Sequence, residues 1–288
     1  MHVNPLVKRN KNIVIAPCGN RAFLYKKSWL KYRDEKEFDL CLLFYDDQIN
    51  DPSLYECADY FFHLKEFKYK MIFELLTTLK KEWQEEYEYF YFLDDDIEID
   101  TKQINQLFFL SKAFNVLLSS AALTHDSFCS WPVFKQKQNH FCRYIGQIEV
   151  MSPLFSAAAL KICLPSFIAN RSSWGLDSVW AKLLGYPEDK FIVFDTVPMR
   201  HIYPVGTGEL YKKIGVDPEK EWMDTITLYN AKRHNLQEFE KIYIVNKESN
   251  QLVKIYFKYN DLWIKRRNLW KSSIGSIIKK SKKTPVHP

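Results

Sequence analysis

The amino-acid sequence predicts an α/β fold built on a largely parallel sheet. Short apolar runs alternate with amphipathic helical segments between residues 13 and 123, and this alternation is typical of parallel sheets with helices packed against them. Acidic residues follow two of the apolar runs directly, at Asp46 and at Asp94. Ligands of such sheets bind beyond the carboxyl ends of the strands, so we expect a functional site at that edge.

The elements follow from the apolar spacing and the turn residues. The first run, Ile13 to Ala16, leads into Pro17-Cys18-Gly19-Asn20, which predicts a buried strand and a turn. Further strands are predicted at 38–45, 60–63, 87–93 and 116–123, with helices at 68–83 and 102–113, the second capped by Thr101.

The remaining sequence is less regular. We predict a strand over 149–155 broken by Pro153, helices at 157–162 and 177–184, and a strand over 191–194. The expected organisation is a catalytic domain at 1–210, an extension packed on it at 211–260, and a basic amphipathic helix and tail at 261–288.

Composition indicates a globular protein, since 47% of its residues are hydrophobic, and a length of 288 residues suffices for one large core or for a domain with an appendage. The net charge of +6 is concentrated at the C-terminus. Residues 254–288 hold ten Lys and Arg against one Asp, which leaves 31 basic and 34 acidic residues elsewhere. The rest of the chain therefore lacks the excess of positive charge that nucleic-acid binding requires, and we expect no nucleic-acid partner.

The expected location is cytoplasmic. Residues 1–11 are polar and lack the apolar segment of a secretory signal. The chain contains no apolar run of about 18 residues, the length that a membrane-spanning helix needs. The six cysteines form no CxxC pair, which is typical of reduced thiols in an intracellular protein.

The acidic triplet Asp94-Asp95-Asp96 is the most informative motif. Side chains alternate along a strand, so Asp94 and Asp96 are expected on one side and Asp95 on the other. Carboxylates bind Mg²⁺ or Mn²⁺, and a bound cation stabilises the charge that develops on a leaving diphosphate. The triplet therefore predicts metal binding by Asp94 and Asp96 and nucleotide contacts from Asp94 and Asp95. A solvated acidic turn is the alternative.

Two later residues would complete such a site. Asp177 is predicted near the start of a helix, where a carboxylate is stabilised in its ionised form and is able to accept a hydroxyl proton; an ordinary helix cap is the alternative. His201 follows the strand predicted over 191–194 and a turn predicted at Pro198, and as a third ligand it would favour Mn²⁺. A structural histidine is the alternative, and Asp195 is a weaker candidate ligand.

Several segments between about residues 38 and 208 resemble the DUF707 family of glycosyltransferase-like proteins and, more distantly, the metal-dependent GT-A glycosyltransferases. The long segment Glu149 to Ser156, E-V-M-S-P-L-F-S, resembles the family's E-[IV]-M-A-P-V-F-S, and Trp174 to Asp177 matches its W-G-L-D. Shorter matches are Leu42 to Asp46, His63, Glu66 to Lys70, the acidic triplet, His125, Ser130-Trp131, Arg143-Tyr144, His201 and Gly206 to Gly208. The chain departs from the family at Ser152, and it lacks the glycine that follows the family's acidic triplet.

The resemblance implies a GT-A-like, Rossmann-like fold. It also implies a nucleotide on the first strands, at Cys18, Gly19, Asn20 and Asp46, a metal on the acidic triplet, and an acceptor near the later acidic residue.

Four further residues have two interpretations each. Glu149 is predicted either to contact sugar hydroxyls or to pair with Arg143. Lys68 is predicted to contact donor phosphates, with a surface lysine as the alternative. Trp131 and Trp174, the latter next to Gly175, are predicted to stack on sugar rings, although core packing is the more common role of tryptophan.

Together these features predict a metal-dependent, inverting glycosyltransferase that uses Mn²⁺ or Mg²⁺ and a nucleotide-sugar donor, with a UDP-sugar favoured. The expected acceptor is a saccharide or a lipid-linked saccharide in bacterial surface polysaccharide synthesis, such as capsule or lipopolysaccharide. The alternatives are a nucleotidyltransferase and a non-catalytic carbohydrate-binding or scaffold subunit.

Apolar residues on one face of 261–288, with lysines around them, predict peripheral docking on the anionic inner face of the plasma membrane. An amphipathic helix packed on the catalytic domain is the alternative.

Overall fold

The computed structural model describes residues 2–3, 10–50, 53–205, 215–244 and 278–281. The strands are β1 (His2–Val3), β2 (Asn12–Cys18), β3 (Asp39–Phe44), β4 (Tyr60–His63), β5 (Tyr89–Phe92), β6 (Ile97–Glu98), β7 (Leu118–Leu123), β8 (His140–Ile145), β9 (Leu154–Ser156), β10 (Phe191–His201), β11 (Glu238–Ile244) and β12 (Ile278–Ser281). The α-helices are α1 (Ser53–Cys57), α2 (Lys68–Glu74), α3 (Trp83–Glu86), α4 (Thr101–Ala113), α5 (Ala157–Cys163), α6 (Leu176–Leu183) and α7 (Pro218–Leu228).

All strands except β6 form one continuous path, in the order β1-β4-β3-β2-β5-β9-β7-β10-β8-β11-β12. The pairs β4–β3, β3–β2, β2–β5 and β7–β10 are parallel. The short strand β9 is antiparallel to both β5 and β7, so β7 runs in the same direction as β5. The centre of the sheet is therefore largely parallel, as the sequence predicted, and its flanks are antiparallel.

The sheet is the core of the protein. Strands β3, β5 and β7 are buried at every position, as expected when helices cover both faces of a parallel sheet. Phe92 of β5 and Phe155 of β9 pack with the aromatic rings of Tyr69, Phe167 and Trp180, mostly edge to face. This packing fixes the position of the strand ends that carry the acidic residues.

Four predicted elements differ from the structure. The strand predicted over 149–155 forms only at Leu154–Ser156, after Pro153. The helix predicted over 68–83 ends at Glu74 and continues as a wider turn at Leu75–Leu79. Helix α4 is capped by Asp100, which forms a reciprocal pair of hydrogen bonds with Gln103, so the expected Thr101 cap was wrong by one residue. The strand predicted over 191–194 continues to His201 with a change of register between Phe194 and Pro198, and Pro198 therefore lies within the strand.

The C-terminal part of the described chain joins the same sheet. Strand β11 pairs with β8, and β12 pairs with β11. Ile278–Ser281 form a strand, so the helix predicted across 261–288 is wrong for these four residues. The rest of that predicted helix lies outside the described residues. Within the described ranges, no helix has the length and apolar character needed to cross a membrane.

Candidate functional site

A pocket of about 880 Å³ lies beyond the carboxyl ends of the central strands. It is lined by nine of the residues predicted from sequence, which come from six separate segments of the chain. They are Lys68, Asp94, Asp96, Trp131, Glu149, Trp174, Gly175, Asp177 and His201.

Asp96 and His201 meet because of a short pairing between β6 and β10. His201 lies opposite Ile97 in this pairing, and the backbone N–H of Ile202 donates to the carbonyl oxygen of Asp96 over 3.1 Å. The imidazole Nε2 is 3.1 Å from Asp96 Oδ2, and Nδ1 is 3.0 Å from the carbonyl oxygen of Phe128. Burial lowers the pKa of His201, but the hydrogen bond and negative charge of Asp96 contribute to a net increase.

The other carboxylate oxygen of Asp96, Oδ1, is buried and has no hydrogen-bond partner among the described residues. A buried carboxylate oxygen without a donor is costly, and it is the atom that a divalent cation would bind. The described residues contain no preformed group of three His, Cys, Asp or Glu side chains that would hold a metal. The donor set still fits Mn²⁺ or Mg²⁺, because two carboxylates and an imidazole line one pocket.

Lys68 is saturated by partners within the protein. Its ammonium is 2.6 Å from Asp94 Oδ1 and donates to the carbonyl oxygens of Met151 and Val150 over 2.8 and 3.1 Å. An ammonium has three N–H donors, so Lys68 has none left for a phosphate in this arrangement. Its contacts instead connect Asp94 to the segment that follows Glu149.

The pKa of Asp94 is raised, first by burial and then by Asp96, although Lys68 opposes the change. Asp95 does not line the pocket; its Oδ2 accepts a hydrogen bond from the hydroxyl of Tyr45 over 3.1 Å. The three aspartates therefore separate as the sequence predicted, with Asp94 and Asp96 on the pocket side. The chain turns at Asp95 and Asp96, so this turn produces the separation, whereas the prediction relied on strand alternation.

The residues predicted to bind nucleotide on the first strands lie at the same edge of the sheet but do not line the pocket. The backbone N–H of Asn20 donates to Asp46 Oδ2 over 2.7 Å, and Cys18 is buried. Gly19 is in close contact with Tyr45, since an added Cβ would lie 2.7 Å from the ring. Burial and the charges of Asp95 and Asp46 raise the pKa of the Cys18 thiol to about 12. Their role in nucleotide binding stays a prediction.

Asp177 lies in the first turn of α6, after Gly175. Its Oδ2 accepts from the Gln147 side-chain amide over 2.8 Å, and its Oδ1 from the backbone N–H of Ser178 over 2.8 Å. Burial raises the pKa of Asp177 to about 6 despite these hydrogen bonds. The N-cap position belongs to Gly175, so the alternative that Asp177 is an ordinary cap is wrong.

Glu149 lines the pocket and has a buried Oε2 without a partner among the described residues. Burial, followed by the charge of Asp177, raises its pKa to about 8. The alternative pairing with Arg143 is wrong. Arg143 is fully buried and binds Asp195 through Nε and Nη2 over 2.9 and 3.0 Å, and Glu238 through Nη1 over 2.6 Å. Because Asp195 is held by this ion pair, it is a poor candidate metal ligand.

Several residues that line the pocket were not predicted from sequence, and Arg21 and Trp222 are two of them. Arg21 follows the turn after β2 and has no ion pair among the described residues. Its neighbours Gly19 and Asn20 were predicted to bind nucleotide, but Arg21 was not. Trp222, on α7, lies between Trp131 and Trp174, with ring centroids 6.3 and 6.2 Å away. The periodicity after residue 209 was too weak to predict this helix, so nothing in the sequence indicated that Trp222 reaches the pocket.

Comparisons with known proteins bear on the fold. No protein-family model and no curated protein matches the chain, so the resemblance to DUF707 stays a prediction. The structure is similar to S. aureus TarS 1–349 in complex with UDP-GlcNAc, with a TM-score of 0.46, 13% identity, and coverage of 90% of this chain and 74% of that chain. It is similar to GalNAc-T7 with UDP, GalNAc and Mn²⁺, with a TM-score of 0.53, 9% identity, and coverage of 79% of this chain and 53% of that chain.

The chain thus matches about half the length of the GalNAc-T7 chain. At such low identity the similarity concerns the fold alone. Together with the strand order, it confirms the mixed, largely parallel GT-A-like architecture that the resemblance implied.

Proposed function

We propose that this protein is a glycosyltransferase that transfers a sugar from a nucleotide-diphosphate sugar to a saccharide or lipid-linked acceptor. The observation that carries the proposal is the convergence of Asp94, Asp96, Glu149, Asp177 and His201 on one pocket at the carboxyl ends of a GT-A-like sheet. The GalNAc-T7 structure, similar in fold, was solved with UDP, GalNAc and Mn²⁺, which supports a UDP-sugar donor and a divalent cation.

Asp96 would hold the cation through its unpartnered Oδ1, with Asp94 and His201 as further ligands. A cation bound there would act as a Lewis acid toward the diphosphate leaving group. For His201 to coordinate it, Nε2 must exchange its hydrogen bond with Asp96 for the metal. Asp94 would bind the cation while it keeps its ion pair with Lys68, and this ion pair keeps the Asp94 carboxylate oriented toward the pocket.

The donor brings negative charge to a pocket that already contains several carboxylates. Lys68 is saturated, and both ring nitrogens of His201 have hydrogen-bond partners. Arg21 is the lining side chain left to pair with a phosphate, because its guanidinium has no ion pair within the described residues. We therefore assign the diphosphate contact to Arg21 in place of Lys68.

Asp177 would be the general base. In an inverting displacement the acceptor oxygen bonds to the anomeric carbon, the bond from that carbon to the diphosphate oxygen breaks, and the hydroxyl proton passes to the base. A pKa of about 6 leaves Asp177 mostly ionised at neutral pH yet basic enough to accept this proton. Glu149, with its pKa of about 8, would be mostly protonated and able to donate a hydrogen bond to a sugar hydroxyl.

The test is a screen of UDP-sugars for hydrolysis and transfer, with Mn²⁺, with Mg²⁺ and with EDTA. Release of UDP that requires the cation and is lost in Asp96→Ala is the expected result. Transfer at an unchanged rate by EDTA-treated protein and by Asp96→Ala would exclude the metal site. Release of pyrophosphate in place of UDP would identify the alternative, a nucleotidyltransferase, and failure to bind either cation or nucleotide would favour a non-catalytic carbohydrate-binding or scaffold subunit.

Membrane docking by 261–288 and a role in surface polysaccharide synthesis are also part of the proposal. Nearly all of that segment lies outside the described residues. Sedimentation with anionic and neutral liposomes, comparing the full chain with one that ends near residue 260, tests the docking directly. Loss of binding to anionic liposomes on truncation is expected, and equal sedimentation of the two chains would exclude it.

A further inference from the structure

We propose that Trp222 belongs to the binding site of the acceptor saccharide, where it completes an aromatic wall with Trp131 and Trp174 and donates its indole N–H to a sugar hydroxyl. This inference rests on the proposed function. It assigns the acceptor side of the pocket to α7, a helix outside the predicted catalytic domain.

The first observation is an unpartnered polar group. Trp222 lines the pocket, its side chain is only 7% exposed, and its Nε1 has no hydrogen-bond acceptor among the described residues. An indole nitrogen is a donor only, and a buried donor without an acceptor costs about 1–3 kcal/mol. A ligand hydroxyl that reaches this group would remove that cost.

The second observation is the fit between Trp222 and the turn before Asp177. Gly175 has φ of 86°, and a Cβ at this position would lie 2.5 Å from Trp222 Cδ1 and 3.3 Å from Nε1. The five-membered edge of the indole therefore rests directly on Gly175. Because Asp177 is two residues further along, Trp222 lies on the side of the pocket where the proposed base is located.

The third observation is the arrangement of the rings. Trp222 meets Trp131 at 69° and Trp174 at 72°, and the imidazole of His234 lies 4.9 Å from its centroid. Trp131 and Trp174 are each only partly buried, so part of their ring surface remains available. The weakly positive C–H faces of a pyranose are attracted to the negative face of an aromatic ring, and neighbouring hydroxyls need hydrogen-bond partners. Glu149 and Asp177 line the same pocket and supply such partners.

The position of Trp222 favours the acceptor over the donor. The groups assigned to the donor are Arg21, Asp94 and Asp96, which follow β2 and β5. Trp222 instead contacts the segments around Gly175, Trp131 and His234. A nucleotide base would also stack on tryptophan, so the experiment must separate the two ligands.

The test compares Trp222→Phe with Trp83→Phe. Trp83 is an ideal control because it is fully buried, its Nε1 also lacks a partner among the described residues, and it packs on Tyr60 and Tyr87 without lining the pocket. Saturation-transfer NMR would measure binding of methyl glycosides and disaccharides of glucose, galactose, mannose and N-acetylglucosamine, in the presence of UDP and the diamagnetic cation Mg²⁺. Calorimetry would measure the affinity for UDP itself.

We expect Trp222→Phe to weaken binding of the recognised saccharide about 3- to 10-fold, which corresponds to one lost hydrogen bond, and to leave UDP affinity within about twofold. Trp83→Phe should change neither. The inference is overturned if Trp222→Phe binds saccharides as the unaltered protein does, if it loses UDP affinity to the same degree, or if no saccharide of the panel binds to the UDP-loaded protein. Failure of the unaltered protein to bind UDP would instead count against the proposed function.

Discussion

The region around Arg143 and the pocket both contain buried charges, but the two regions stabilise them in opposite ways. Around Arg143, between β8, β10 and β11, every charged group has a partner. Asp195 and Glu238 accept from Arg143, and Glu238 also accepts from Lys137 and Lys241. In the pocket, Asp96 and Glu149 each keep a buried oxygen without a donor among the described residues. The first region is complete without a ligand, and the second is not.

The pKa values of two glutamates express the same contrast. Burial by itself would raise the pKa of Glu238, but hydrogen bonds from Lys137, Lys241 and Arg143 lower this pKa to about 2. Burial and the charge of Asp177 raise that of Glu149 to about 8. A carboxyl that the fold stabilises when ionised holds strands together, whereas one that the fold destabilises when ionised is available for chemistry. The contrast predicts which substitutions affect the stability of the fold and which affect activity.

The largest expected effect is on turnover. Asp177→Asn should lower the rate of sugar transfer about 10²- to 10⁴-fold, because a general base contributes this much, while the melting temperature stays the same or rises. The measurement is UDP release at saturating donor, together with thermal unfolding. Asp195→Asn makes the same chemical change in the Arg143 region and should lower the melting temperature. If both variants lose stability equally, the distinction between the two regions fails.

The next largest effect is on the free energy of unfolding. Arg143→Met should reduce it by about 3–5 kcal/mol, since the change leaves Asp195 buried without its counter-charge. Arg200 is the control, because it also pairs with two carboxylates, Glu98 and Asp126, but is 47% exposed. Arg200→Met should cost no more than about 1 kcal/mol in denaturant titrations. A similar loss in the two variants would contradict the structural role given to Arg143.

The dependence of stability on pH should have opposite signs in the two regions. Ionised Glu149 destabilises the fold, so the unaltered protein loses stability relative to Glu149→Gln as the pH rises from about 5 to 8, by about 1–3 kcal/mol. Glu238 contributes stability above its unfolded pKa of 4.5, and this is lost as the pH falls toward 2. Denaturant titrations of Glu149→Gln and Glu238→Gln across these ranges measure both. If the difference in stability between the unaltered protein and Glu149→Gln does not change with pH, the carboxyl of Glu149 is not held in an unfavourable environment.

The smallest effect concerns the contact between Trp222 and Gly175. Gly175→Ala and Gly185→Ala both place a Cβ at positive φ, 86° and 80°, which costs about 1–2 kcal/mol each. Only Gly175→Ala also collides with Trp222, whereas Gly185 has open space around it. We expect Gly175→Ala to unfold more easily by a further 1–2 kcal/mol or so. Equal stability of the two variants would mean that Trp222 does not rest on Gly175.

The sequence predicted what depends on local pattern. The strand before Asp94 and the helix after Gly175 follow from apolar spacing, and the site lies where parallel strands end. The capping pair of Asp100 with Gln103 was also readable from its spacing, although Thr101 was preferred.

The rest depends on long-range contacts. Two of the three partners of Lys68 are backbone carbonyls more than 80 residues away, and carbonyl groups leave no trace in a sequence pattern. Trp222 reaches the pocket from a helix in a segment whose periodicity was weak. Pro198 was read as a turn because proline rarely occurs within a central strand, but a change of register accommodates it.

Strand β10 carries Asp195 and His201 only six residues apart, so the ion-paired region and the pocket share one strand. Anything that binds His201 also holds this strand in place. Binding to the native state alone raises the melting temperature, and the rise grows with the logarithm of the ratio of ligand concentration to Kd. The protein can therefore be screened without any assay of catalysis. Combinations of nucleotide, sugar and cation could be ranked by how far each one shifts thermal denaturation, and the best combination would identify the donor.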